Sequence, residues 1–125
     1  MKTAEVIAEQ VQKPIIIDPR IVEREWGEAE GKVADPSKNL FDDADTPQGA
    51  ETFGAFKVRI VEAISQILHG HHCPLIVSHG GVFKALADSL GYAKLQASNC
   101  DPFLFRPPEQ ETHLWRTYNL SCVNL

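Results

Sequence analysis

Two consecutive glycines follow a histidine in the stretch Ser78-His79-Gly80-Gly81, and these residue types in this order suit chemistry. Upstream, Leu75, Ile76 and Val77 make a short apolar run rich in β-branched residues, the composition of a strand buried on both faces. Downstream, Val82, Phe83, Leu86 and Leu90 recur along one side of a helix. Gly80 and Gly81 permit the turn between them, which residues with a Cβ would resist. Strand, turn and helix in this order predict His79 at the carboxyl end of a strand, where open α/β sheets bind ligands. The first amides of the helix point at the same place and favour an anion. An imidazole beside free amides suits phosphate. The competing reading is a histidine that simply ends a strand and hydrogen-bonds a loop.

Two other clusters invite a metal. His69, His71, His72 and Cys73 are crowded together, whereas known metal patterns place their ligands on separate turns or elements. A position near a helix C-terminus already accounts for His69 through the helix dipole. Asp42, Asp43 and Asp45 lack the glycine and distal glutamate of a calcium loop and read as a solvated segment. No metal and no cofactor is expected.

The elements that must position His79 are legible from spacing. Ala4, Ile7, Ala8 and Val11 follow helical periodicity, so the sequence opens on an amphipathic helix, ended at Lys13-Pro14. Ile15 to Ile17 read as a second buried strand, stopped at Asp18-Pro19. Arg20 to Gly31 is a turn region whose charges Glu23, Arg24 and Glu25 read as a solvated acidic loop. Lys32 to Ala50 reads as a long surface loop. Thr52 is an N-cap for the strongest helix, whose stripe of Phe53, Phe56, Ile60, Ala63, Ile64, Ile67 and Leu68 runs to His69, with Gly70 as its C′ residue. Arg59 beside that stripe reads as an ion-pair partner. Gly91-Tyr92 closes the helix after His79. Phe103 to Phe105 and Leu114 to Tyr118 read as two strands that pair at a sheet edge, joined across Pro107-Pro108 and a polar turn at Glu109 to Thr112.

Composition narrows the classes. A chain of 125 residues fits one domain, residues 1–125, with a modest core. A formal net charge of −5 and the lack of any basic cluster argue against nucleic-acid binding. No apolar run approaches the length of a membrane span and no signal peptide is recognisable. Cys73, Cys100 and Cys122 are odd in number and widely spaced, as for reduced thiols, so a cytoplasmic protein is expected.

Four stretches in order, Lys2 to Ala8 (KTAEVIA), Asp18 to Gly31 (DPRIVEREWGEAEG), Gly49 to Ile60 (GAETFGAFKVRI) and Pro74 to Leu86 (PLIVSHGGVFKAL), resemble the histidine phosphatase superfamily, also called phosphoglycerate-mutase-like. The resemblance covers almost the whole chain. It implies an α/β fold, a mainly parallel sheet with helices on both faces. It implies phosphomonoester hydrolysis or phosphoryl transfer on a small phosphorylated substrate, with phosphatase preferred to mutase. His79 matches the family's second histidine and would stabilise the transferring phosphoryl group, with the Gly80 amide beside it. Glu23 matches the family's acid and base, which protonates the leaving oxygen or activates water. Glu25 and Glu28 are its rivals for any carboxylate role.

One departure matters. Family members begin with a central strand ending in Arg-His-Gly, whose histidine is the nucleophile and whose arginine grips phosphate; a second arginine follows. None of these occurs here. The expectation is an N-terminally incomplete domain, with the first central strand lacking beside Leu75 to Ser78 and with little or no phosphatase activity alone. The alternatives are a pseudoenzyme that binds a phosphorylated ligand or inorganic phosphate without turnover, and an interaction module that oligomerises through an exposed sheet edge.

Overall fold

The computed structural model describes residues 2–110 and 114–122. Its regular elements are three helices, α1 (Lys2–Val11), α2 (Phe53–Gly70) and α3 (Gly80–Ser89), and two strands, β1 (Phe103–Arg106) and β2 (Arg116–Asn119). Single 3₁₀ turns interrupt the long connection from α1 to α2 at Pro19–Ile21, Gly27–Ala29 and Asp43–Asp45.

The apolar stripe of α2 becomes the core. Phe53, Phe56, Ile60, Ala63 and Ile64 are buried along one face. The Thr52 Oγ1 accepts from the Ala55 N–H at 3.1 Å, satisfying one of the helix's orphan donors as expected of an N-cap. The other end departs from expectation. Gly70 is the last helical residue rather than C′, and His71 ends the helix in an extended conformation while donating its N–H to the Ile67 carbonyl. No left-handed residue is needed there.

Helix α3 lies against α2, with Val82 and Ala85 joining Phe53, Phe56, Ile60 and Ile64 in one cluster; Ile21, Ile76 and Leu86 border it. Ala85 and Ala87 are fully buried, and side chains this short let α3 sit close to its neighbours. Phe83 turns away from the core towards β1, its ring centroid 4.6 Å from that of Phe103 and 5.9 Å from that of Phe105. Gly91 adopts the left-handed conformation that turns the chain after α3 (φ 87°). The Tyr92 hydroxyl then donates to the Trp115 carbonyl, joining the end of α3 to the strand region.

The strands β1 and β2 pair antiparallel, Phe103 opposite Asn119 and Arg106 opposite Arg116. The pairing matches the sequence reading, but β2 starts two residues later than expected, leaving Leu114 exposed. The polar turn at Glu109 to Thr112 extends into residues 111–113, outside the described residues. Cys73 and Cys100 are free and exposed.

The sheet corrects the larger expectation. Among the described residues the paired strands form one two-stranded antiparallel sheet, and a mainly parallel sheet does not appear. Ile15–Ile17 and Leu75–Val77 form no strand and belong to no ladder. Nor are they buried on both faces, since Ile16, Ile17 and Leu75 are each about two-thirds exposed or more. A run of β-branched residues records a preference for a pleated, covered environment, but a strand also needs a hydrogen-bonded neighbour. These two stretches have none among the described residues. Helix α1 forms where expected and buries no residue. Among the described residues, no helix is long and apolar enough to cross a membrane.

Candidate phosphate site at the start of helix α3

His79 occupies the N-cap position of α3 with an extended backbone, and its carbonyl accepts the Phe83 N–H. Its side chain makes no capping bond and the residue is exposed. The preceding Ser78 hydroxyl donates to the Ile21 carbonyl at 2.6 Å, tying the approach to α3 onto the Pro19–Ile21 turn. That turn is itself fixed by Asp18, whose carboxylate accepts from the Arg20 backbone and guanidinium. The hydrogen bonds from Arg20 hold the Asp18 carboxyl down at about 2.

The tie between Ser78 and Ile21 places residues 21–24 beside the first turn of α3. There the Glu23 Oε2 accepts from the Gly81 N–H at 3.3 Å, and its Oε1 accepts from the Arg24 N–H at 2.8 Å. A Cβ at Gly81 would stand 2.1 Å from Glu23 Oε1, so the missing side chain is what admits the carboxylate. Gly80, one residue nearer to His79, has open space where its Cβ would be. The structure thus brings Glu23 to the helix end that carries His79 and Gly80, across 58 residues of sequence. Glu25 and Glu28 are exposed, and among the described residues neither is hydrogen-bonded to α3.

Arg24 holds this carboxylate's backbone in place, a role the sequence reading missed. Only 3% exposed, its guanidinium donates to the carbonyls of Glu51 and Leu40 and to the Thr46 hydroxyl, and it lies 5.0 Å over the Trp26 ring. Burial pushes its pKa down from the ordinary arginine value, while Asp43, Glu51 and Glu23 oppose that shift. The expected solvated loop is therefore pinned from inside. No periodicity marks Arg24 in the sequence, where it stands between two glutamates.

The three aspartates of the same connection act as local caps. Asp42 accepts from the Ala44 N–H, Asp45 from the Asn39 N–H, and Asp43 from the Gly54 N–H in the first turn of α2. Among the described residues no three His, Cys, Asp or Glu side chains converge as a metal site would require. Arg59 forms the ion pair expected of it, two bonds to Glu51 at 2.9 and 2.7 Å, and also donates to the Arg20 carbonyl. Those bonds hold Glu51 below the usual carboxylate range.

Shallow depressions of about 360 and 520 Å³ flank the Asp42–Asp43 loop and the Glu51–Arg59 pair. Neither is lined by His79, Glu23 or Gly81. The candidate site is an open helix end bearing an imidazole, a free Gly80 Cα face and a carboxylate.

No curated protein matches the chain, and no solved structure does. A family model does match, over residues 1–103, a span that includes Glu23, Gly80 and His79. The chain belongs to the histidine phosphatase superfamily (branch 1).

Proposed function

We propose that the end of α3 is the phosphoryl-binding half of a phosphatase-like site. His79 donates a hydrogen bond to a phosphoryl oxygen, the Gly80 N–H donates a second, and Glu23 serves as the proton donor and acceptor. The observation that carries this reading is the Glu23 carboxylate resting on Gly81, two residues from an exposed imidazole. A phosphomonoester seated there would bring negative charge beside Glu23. There Glu23 stands where it would pass a proton to a leaving oxygen or take one from water.

The reaction the family implies also needs a nucleophilic histidine, which takes the phosphoryl group before water releases it. No Arg-His-Gly occurs in these 125 residues. We therefore expect this chain, as one histidine-phosphatase-like domain, to bind phosphate and to turn over little or no phosphomonoester alone. An assay with a generic aryl phosphate tests the point. Turnover at background level, unchanged in His79→Ala, agrees with the proposal. Turnover abolished by His79→Ala means that another group supplies the nucleophile and overturns it.

A second reading is a phosphate-ligand binder with no catalytic duty, which the exposed His79 and the open Gly80 would serve equally well. It shares the binding result with the first. The two separate when a second polypeptide carrying the Arg-His-Gly strand is added: turnover appears only if the site is half of an enzyme.

A further inference from the structure

Three consecutive carbonyls lead up to Glu23, and each accepts a hydrogen bond from a side chain distant in sequence. The Arg59 Nη1 donates to the Arg20 carbonyl at 2.7 Å and to the Val22 carbonyl at 3.4 Å. The Ser78 hydroxyl donates to the Ile21 carbonyl between them. Arg59 itself has little freedom. Its Nε and Nη2 donate to the two oxygens of the Glu51 carboxylate, and its guanidinium lies 5.0 Å over the ring of Phe56, a fully buried side chain. A two-pronged carboxylate and an aromatic face orient the planar fork, which leaves Nη1 aimed at residues 20 and 22. Glu51 also acts on the far side of Glu23. Its carbonyl accepts from the Arg24 Nε at 2.6 Å, and its N–H donates to the Glu25 carbonyl at 3.0 Å. One residue beside the start of α2 thus ties the chain before Glu23 through Arg59 and the chain after it directly.

We propose that Arg59, aimed by Glu51, is a positioning residue for Glu23, fixing the backbone that carries this carboxylate onto the Gly81 N–H. The proposal rests on the reading of Glu23 as the acid and base of the α3 site. Among the described residues the Glu23 carboxylate accepts from two backbone amides, those of Gly81 and Arg24, and from no side chain. Its place at α3 therefore depends on where its own backbone is held. A proton-transferring group gains most from such support, because a misplacement of ~1 Å can cost ~100-fold in rate. Lys57, on the same helix, offers a contrast. It pairs with Asp88 of α3 at 2.8 Å and makes no hydrogen bond to residues 20–25 among those described.

A double-variant cycle read by two-dimensional NMR on the intact chain, without phosphate, tests this. Glu23→Gln removes the charge that the Gly81 N–H meets, so the Gly81 amide signal should move. In an Arg59→Gln background that movement should shrink about twofold or more, the sign of coupling between the two positions. It should not vanish, since Ser78 still holds Ile21 and the Arg20 guanidinium still donates to Gln66 of α2. In a Glu51→Gln background, which keeps the side chain's shape and its backbone bonds, the movement should shrink by less. In a Lys57→Gln background, which loses a different ion pair of α2, it should keep its full size. Full-size movement with Arg59→Gln or Glu51→Gln would overturn the proposal and leave Arg59 a stabilising ion pair alone. An equal loss with Lys57→Gln, or no movement on Glu23→Gln in the wild type, would overturn it too. These outcomes are separate from phosphate binding: saturable binding at His79 together with full-size movement keeps the α3 site and removes Arg59 from it.

Discussion

The α2–α3 pair and the segment Lys2–Ile17 are similarly apolar in sequence and opposite in outcome. In α2, Phe56 and Ile60 are almost completely withdrawn from solvent, because α3 supplies a matching face built on Val82 and Ala85. In α1 no residue is fully buried, and Ile16 and Ile17 stay about 70% exposed, since none of them joins the buried cluster among the described residues. Hydrophobic pattern sets which face seeks cover. Only a complementary element provides it.

The sharpest contrast between the two regions is energetic. Phe56→Ala removes a side chain that is 1% exposed and should cost about 3–5 kcal/mol in urea unfolding. Ile16→Ala, at 70% exposure, should stay within about 0.5 kcal/mol. Similar losses at the two positions would mean that Ile16 is packed as tightly as Phe56.

A second test strikes the polar part of the ordered region. Arg24→Lys keeps the charge but cannot serve the carbonyls of Leu40 and Glu51 and the Thr46 hydroxyl together. Leaving such acceptors unpaired should cost about 2–3 kcal/mol and open the 32–50 loop to limited proteolysis. Full stability in that variant would show the loop to be held by other contacts. A smaller loss, about 1 kcal/mol, is expected for Thr52→Ala, which frees the Ala55 N–H.

The smallest effect concerns pH. Hydrogen bonds from Arg59 lower the Glu51 pKa in the folded chain. Their contribution is therefore complete above the unfolded carboxylate value and fades as pH falls through the lower folded value. With both side chains partly buried, about 0.5–1 kcal/mol should be lost on acidification. Arg59→Gln should flatten that part of the pH–stability curve, as read from urea midpoints.

Local signals read correctly where one element settles the matter. The α2 stripe, its Thr52 cap, the Arg59 ion pair and the pairing of β1 with β2, though not its direction, follow from residue types at fixed spacing. The parallel sheet did not follow, because Ile15–Ile17 and Leu75–Val77 state a preference for burial without naming a neighbour. Arg24 stayed hidden for a related reason. Between Glu23 and Glu25 it looks solvated, and its acceptors at positions 40, 46 and 51 are brought to it only by the fold. The sequence marked a helix beginning next to His79, but the turn expected at Gly80 and Gly81 is absent, both glycines being the first residues of α3 itself. The contact of Gly81 with Glu23 spans too much sequence for any local motif.

The central claim is that His79 and Glu23 face one phosphate at the start of α3, and a titration of the intact chain with inorganic phosphate followed by two-dimensional NMR tests it most directly. Saturable shifts confined to the Glu23, Gly80 and Gly81 amides and the His79 ring, lost in His79→Ala, are the expected result. No saturable shift at those amides, or the same shifts in His79→Ala, would contradict it.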